Sequence, residues 1–215
     1  MTTIGIIGSG RIGSNVARAA TAAGYDVVLS NSRGPATLGD LVEGLGERAS
    51  AATPAEAAER GDLVLVAVPL GKIDQLPAEA LAGKVVMDAN NYYPQRDGRI
   101  AALDTNASTT SGLLQALAPS ARVVKTFNNI YAHEIPQDGS PAGTENRRAL
   151  PIAGDDDAAK HLVASFLDAI GFDVVDLGPL AESWRVERDT PAYGKRTTAS
   201  ELEAILPSVA RVQQT

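Results

Sequence analysis

The stretch Ile4-Gly5-Ile6-Ile7-Gly8-Ser9-Gly10-Arg11-Ile12-Gly13 decides the fold. A short apolar run reads as a buried strand, and the glycine pattern follows it without a gap. An amphipathic helix then opens, with Ile12, Val16 and Ala20 on its inner face. Gly8 permits a tight turn, Gly10 leaves room for a pyrophosphate to approach the backbone, and Gly13 lets the helix pack closely on the strand. The start of the helix presents unpaired N–H groups to an anion. Strand, turn and helix in this order describe the phosphate-binding corner of a dinucleotide-binding fold.

Working outward, apolar runs rich in Val and Ile alternate with Ala-rich segments of helical spacing. This alternation marks βα units around a parallel sheet. Strands are expected over Thr3–Ile7, Asp26–Ser30, Leu63–Ala67, Val85–Asp88, Arg122–Thr126, Ala149–Ala153 and Phe172–Asp176. Their near-continuous apolar character implies burial on both faces. Helices are expected over Arg11–Ala23, Thr37–Gly44, Pro54–Glu59, Ser111–Leu117, Asp156–Ala169 and Ala199–Val209. Gly24 supplies a C-terminal stop, Thr53-Pro54 an N-cap followed by proline at N1, and Thr198 with Glu201 a capping box. The fold class is therefore α/β, a doubly wound and mostly parallel sheet of the Rossmann type with a small C-terminal α/β lobe. Residues 1–130 form the dinucleotide-binding Rossmann domain in this reading, and residues 131–215 a small C-terminal lobe packed on the same sheet. The loop Tyr131–Asn146 joins them. Gly178–Arg196 has no clear period and reads as a functional loop or an interface segment.

Composition narrows the chemistry. The chain has 215 residues, 44% of them hydrophobic and 21% charged, as in a globular protein with a sizeable core. A formal charge of −7 repels phosphate backbones, and no basic patch argues for nucleic acid. The apolar runs are much shorter than the roughly 20 residues of a membrane helix. The opening residues lack the basic and apolar regions of a signal peptide, so a cytoplasmic location is expected. With no Cys and two separated His, thiolate and metal chemistry are not expected.

The second strand ends in Ser30-Asn31-Ser32-Arg33-Gly34-Pro35. A dinucleotide fold that prefers NAD carries an acidic residue there to hold the ribose 2′-OH. Here no carboxylate would repel a 2′-phosphate, while Arg33 offers a fork of donors and Asn31 and Ser32 offer further hydrogen bonds. NADP(H) is the expected cofactor. Arg11 either adds a positive charge near the phosphates or points to solvent.

Ligands in doubly wound sheets lie across the carboxyl ends of the strands. Four turns are placed there: Val68-Pro69-Leu70-Gly71, Asp88 to Pro94, Lys125 to His133, and Gly178-Pro179-Leu180. The cofactor-binding candidates are Gly8, Ser9, Gly10, Arg11, Ile12, Gly13, Asn31, Ser32, Arg33, Val68, Pro69 and Asn90. Asn90, Asn128 and Asn129 could orient a nicotinamide amide or a substrate carbonyl, or could simply form turns. His133, a candidate acid or base, reads better as a loop or binding residue, and Asn128 and His133 are weak catalytic candidates. Lys125 could reach a cofactor or satisfy Asp88. No Ser/Tyr/Lys or His/Asp relay is evident, which suits hydride transfer controlled by proximity and orientation.

These residues resemble the NADPH-dependent reductases of coenzyme F420, a deazaflavin. The likeness rests on residues 4–13, Ser32-Arg33, Ala67-Val68-Pro69, Val123-Val124-Lys125-Thr126-Phe127-Asn128 and Asp176-Leu177-Gly178-Pro179-Leu180-Ala181, across nearly the whole chain. It implies hydride exchange between NADPH and the deazaflavin, with Val68 and Pro69 along the nicotinamide half. The turn after Phe127-Asn128 would then face the second cofactor, and a homodimer is implied. Asn90-Asn91-Tyr92-Tyr93 and Ser183-Trp184-Arg185-Val186-Glu187 depart from the family pattern. Two alternatives stay open: an NADPH-dependent reductase of another small acceptor, and a non-catalytic NADP-binding sensor.

Overall fold

The computed structural model describes residues 2–213, so Met1, Gln214 and Thr215, at the two ends of the expected domains, lie outside it. In chain order the main elements are β1 (Thr3–Ile7), α1 (Arg11–Ala22), β2 (Asp26–Ser30), α2 (Gly39–Leu45), β3 (Ala49–Ala51), α3 (Pro54–Arg60) and β4 (Leu63–Val66). They continue with β5 (Val85–Asp88), α4 (Pro94–Asp97), α5 (Ala101–Asp104), α6 (Thr110–Leu117) and β6 (Arg122–Lys125). The last are β7 (Ala149–Gly154), α7 (Asp157–Ala169), β8 (Asp173–Asp176) and α8 (Ala199–Ile205). The strands form one sheet in the order β3-β2-β1-β4-β5-β6-β7-β8.

Alternate residues of the central strands enter two different cores, which is why their sequences are apolar throughout. Ile4, Ile6, Leu63, Leu65, Val85 and Met87 pack with Val16 and Ala20 of α1 and Val163 and Phe166 of α7. Val64, Val66, Val86 and Val123 face the other side, against Ala58 of α3 and Leu114 of α6. The helix signals have the geometry expected of them. Thr198 with Glu201 forms the capping box and Thr53 caps the helix that starts at Pro54, where Glu56 completes a second box that was not read from the sequence. Gly24, at φ +89°, closes α1 in the left-handed region where glycine carries little steric penalty.

Some boundaries differ from the sequence reading, each for a local reason. β3 was not expected; it pairs with β2 through Ala49, Ser50 and Ala51, residues too small to register as an apolar run. The helix expected over Ala199–Val209 stops at Ile205 and tightens to a 3₁₀ turn over Leu206–Ser208, where Pro207 has no N–H to continue the ladder. The helix expected from Thr37 starts at Gly39, after a 3₁₀ turn over Pro35–Leu38.

One placement is corrected. Strands β1, β2, β4, β5 and β6 run parallel, but β7 runs antiparallel to β6 and β8 runs parallel to β7. The loop between β6 and β7 contains no crossover helix long enough to return the chain to the starting edge. The turn Gly178-Pro179-Leu180 therefore leaves β8 at the opposite edge from the glycine corner, and was wrongly placed on the ligand edge. There the Leu180 amide donates to Asp155 Oδ1 at 2.9 Å.

Candidate functional site

The glycine corner lies where the chain order reverses, between β1 and β4. Gly8 sits at φ +106°, and a Cβ on it would lie 2.3 Å from the Ala67 carbonyl oxygen. A Cβ on Gly13 would lie 1.9 Å from the Gly8 carbonyl oxygen, so the turn and the helix start cannot come this close with any side chain present. Gly10 is different. Its φ of −73° suits any residue, and a Cβ there would meet nothing within 4 Å. The protein's own packing does not need Gly10 to be glycine; the exposed space above it does, if a ligand backbone or phosphate must enter. Gly10 is also the N-cap of α1, and no side chain caps that helix and no acidic residue lies in its first turn. Both features leave the helix start open to an anion.

Beside this corner, the turn after β2 is built by Asn31. Its Oδ1 accepts from the Arg33 amide at 2.8 Å and its Nδ2 donates to Thr37 Oγ1 at 2.9 Å. Asn31 thus shapes the turn, and its side chain is committed to that task. Ser32 and Arg33 are exposed, and the Arg33 guanidinium has no partner among the described residues.

A cleft of about 830 Å³ continues from the corner along the carboxyl ends of β4, β5 and β6. It brings together Arg11, Ile12, Val68, Pro69, Asn90, Asn128 and His133 from the expected residues. It also gathers Asn15, Asn91, Tyr93, Gln95, Arg96, Tyr131 and Tyr193, which sequence reasoning did not single out as ligand contacts. Two arginines and a histidine line it, and no carboxylate does among the described residues, although the chain carries a charge of −7. Arg96 is held by Asp97 through two contacts of 2.8 Å. Burial pushes the Asp97 carboxyl up, but donors on Arg96, Tyr93 and Gly71 outweigh it and hold its pKa below the ordinary value. His133 is exposed and stacks on Tyr131, with ring centroids 6.2 Å apart.

Two amides on the cleft have fixed orientations and, among the described residues, unsatisfied halves. Asn90 Oδ1 accepts from the Val68 amide at 3.0 Å, which leaves Nδ2 as a buried donor with no partner. Asn128 Nδ2 donates to the Val186 carbonyl at 2.7 Å, which leaves Oδ1 as a buried acceptor with no partner. Asn90 is 2% exposed and Asn128 3%. A buried donor or acceptor left unpaired costs about 1–3 kcal/mol, so each is a site where a bound polar group recovers free energy. Asn129 does not line the cleft; its carbonyl accepts from the Gly194 amide at 3.0 Å.

Lys125, left undecided from sequence, is fully buried and pairs with Asp88 Oδ2 at 3.3 Å across the β5–β6 register. Its ammonium also donates to the Asn90 carbonyl and, at 2.7 Å, to Thr110 Oγ1. Thr110 in turn donates to Glu187 Oε1 at 2.8 Å. Lys125 therefore braces the floor of the site and has no donor left for a ligand. Glu187 and Val186 also show what the aperiodic Gly178–Arg196 stretch does. It returns from the far edge of the sheet, is tied to Thr110 and Asn128, and delivers Tyr193 to the cleft.

A glycine corner at the switch point of a doubly wound sheet, with an open helix start and an apolar turn leading to polar amides, defines a dinucleotide-binding Rossmann fold. Residues 3–92 match the family described as NADP oxidoreductase, coenzyme F420-dependent. It is 34% identical over 189 residues to the metalloreductase STEAP3 of Rattus norvegicus, covering 86% of this chain and 35% of that protein. It is 32% identical to the crystal structure of a hypothetical protein, SMa0349, from Sinorhizobium meliloti. That match has a TM-score of 0.80 and covers 92% of this chain and 96% of the other. A crystal structure from Arthrobacter sp. FB24, provisionally described as an F420-dependent NADP reductase, is 27% identical with a TM-score of 0.71, covering 83% and 85%. The chain spans only 35% and 39% of the curated relatives it matches. No helix among the described residues is long and apolar enough to cross a membrane.

Proposed function

We propose that this chain transfers a hydride between NADPH and a planar two-electron acceptor held in the cleft, with the deazaflavin coenzyme F420 as the leading candidate. The observation that carries this reading is the continuity of one cleft from Val68 and Pro69, beside the glycine corner, to the amide-lined wall at Asn90 and Asn128. Two ring systems can lie in it face to face. The cofactor, when bound, supplies the hydride; the residues supply position. Gly8, Ser9, Gly10 and Gly13, with the amides at the start of α1, would take the diphosphate, assisted by Ile12 packing and the Arg11 charge. Ser32 and Arg33 would hold the 2′-phosphate, beside the turn that Asn31 builds. The free Asn90 N–H and the free Asn128 oxygen would fix polar edges of the two rings. The apolar turn at Val68-Pro69 keeps bulk and water from the nicotinamide face.

The likeness to a metalloreductase favours a second reading, another small acceptor that passes electrons on to a metal ion, for which FMN and menadione serve as probes. The separating experiment mixes purified protein with NADPH and then with F420, FMN or menadione, following loss of nicotinamide absorbance at each step. Oxidation with F420 but not FMN supports the deazaflavin, and the reverse supports a flavin. Tight NADPH binding with no oxidation by any of the three would instead mark a sensor and end the proposal. Cofactor choice has its own measurement: Arg33→Ala should weaken NADPH about 10- to 100-fold while leaving NADH nearly unchanged, the worth of one charge-assisted contact. Equal losses for both would remove Arg33 from the site.

A further inference from the structure

Reducing a neutral acceptor by hydride leaves a demand that the cofactor does not meet, because one proton must arrive from elsewhere. The sequence offered no relay for it, yet the structure assembles one from residues a hundred positions apart. The hydroxyls of Tyr93 and Tyr193 are 2.7 Å apart, and both side chains line the cleft. Tyr93 stands on the wall between β5 and α4, and Tyr193 on the segment returning from β8. Two guanidinium groups lie against the Tyr93 ring, Arg96 at 4.7 Å and Arg188 at 5.0 Å from its centroid. Positive charge at a ring face stabilises the negative charge that a departing proton leaves behind. Tyr193 is suited to the complementary task. Burial, followed by the neighbouring Tyr93 hydroxyl, pushes its pKa far up, so it keeps its proton and can donate a hydrogen bond to an oxygen becoming negative.

We propose that Tyr93, supported by Tyr193, is the proton donor to the acceptor. This rests on the hydride reading above. As the hydride bonds to the electrophilic ring atom of the acceptor, the displaced π pair moves through its conjugated system to a ring nitrogen or oxygen and bonds to the proton of Tyr93, and the Tyr93 O–H bond breaks. The acceptor gains a hydride, which carries both electrons, and a proton; NADPH is the species oxidised. The Tyr193 O–H bridges to the Tyr93 oxygen while negative charge resides there, and water entering the open cleft restores the proton. The reverse reaction uses the same pair as base.

Tyr93→Phe and Tyr193→Phe test it with whichever of F420, FMN or menadione the wild type reduces. Tyr93→Phe should lower kcat by about 100-fold or more, the usual contribution of a positioned acid. Tyr193→Phe should lower it roughly 3- to 10-fold, the worth of one supporting hydrogen bond. Both variants should bind NADPH and the oxidised acceptor with unchanged Kd in fluorescence titrations, which a merely structural loss would not allow. The wild-type kcat should show a solvent deuterium effect. Tyr93→Phe kcat within about twofold of wild type would overturn the proposal while leaving hydride transfer standing. Loss of NADPH binding in both variants would overturn it in favour of a packing role. A wild type that binds NADPH but reduces none of the three acceptors would remove the hydride reading itself, and the donor with it.

Discussion

Two polar clusters lie side by side at the carboxyl ends of β5 and β6, and they are built on opposite principles. In one, Asp88, Lys125, Ser111, Thr110 and Glu187 are all buried and joined in a chain of hydrogen bonds. In the other, Asn90 and Asn128 are equally buried, yet each keeps one amide atom without a partner. The two clusters touch, because the Lys125 ammonium donates to the Asn90 backbone carbonyl. A charged group in a low-dielectric interior must be paired or the fold suffers, so the charged cluster is closed. A neutral amide can be left half satisfied at a cost that a ligand later recovers, so the cluster that faces the cleft consists of amides. Completeness of pairing thus separates the brace from the binding surface more sharply than burial or residue type does.

The largest expected effect comes from opening the closed cluster. Lys125→Met leaves Asp88 buried without its counter-charge and should destabilise the protein by about 3–5 kcal/mol, measured by urea unfolding. Adding Asp88→Asn should restore part of that loss, since it removes the stranded charge. A double variant no more stable than the single one would show that the pair is not what holds this floor. Glu187→Ala should act more locally, freeing the segment that carries Tyr193. Amide hydrogen exchange should accelerate around 180–193 while the central strands stay protected.

A smaller effect on folding, with a large effect on the ligand, separates two glycines of the same motif. Gly13→Ala forces a Cβ to 1.9 Å from the Gly8 carbonyl and should lower the thermal midpoint and NADPH affinity together. Gly10→Ala meets no protein atom within 4 Å and should leave the midpoint within a degree or so while weakening NADPH at least about tenfold. If Gly10→Ala binds NADPH as well as the wild type does, the diphosphate does not cross this turn.

How much of this was legible beforehand follows from how local each signal is. The glycine corner, the strand before it, the N-cap at Thr53 and the capping box at Thr198 are written within a few consecutive residues, and the structure forms them where they were expected. The Asp88–Lys125 pair was foreseeable as an option because both end neighbouring strands; only the registered sheet could choose it over a cofactor contact. The four-residue helices Pro94–Asp97 and Ala101–Asp104 carry no period long enough to detect. The turn after β8 was misplaced because strand direction is not encoded in an apolar run. Nothing near Tyr93 in the chain announces Tyr193, whose approach depends on the return path of the Gly178–Arg196 segment.

The finest distinction concerns a third kind of buried polar atom. Thr126 is fully buried, its Oγ1 has no partner, and it does not line the cleft. Its backbone amide already donates to the Asp88 carbonyl at 3.0 Å, a bond that no side-chain change disturbs. Valine has the same shape without the hydroxyl, so Thr126→Val removes an unsatisfied group and leaves the packing intact. It should stabilise the fold by about 1 kcal/mol, a rise of roughly 2–4 °C in Tm for a chain of this size, with NADPH affinity unchanged. A fall in stability would mean that the hydroxyl does have a partner when the protein works. Thr126 would then join Asn90 and Asn128 as part of the binding surface, and the line between brace and ligand wall would fall between Lys125 at the end of β6 and Thr126 just beyond it.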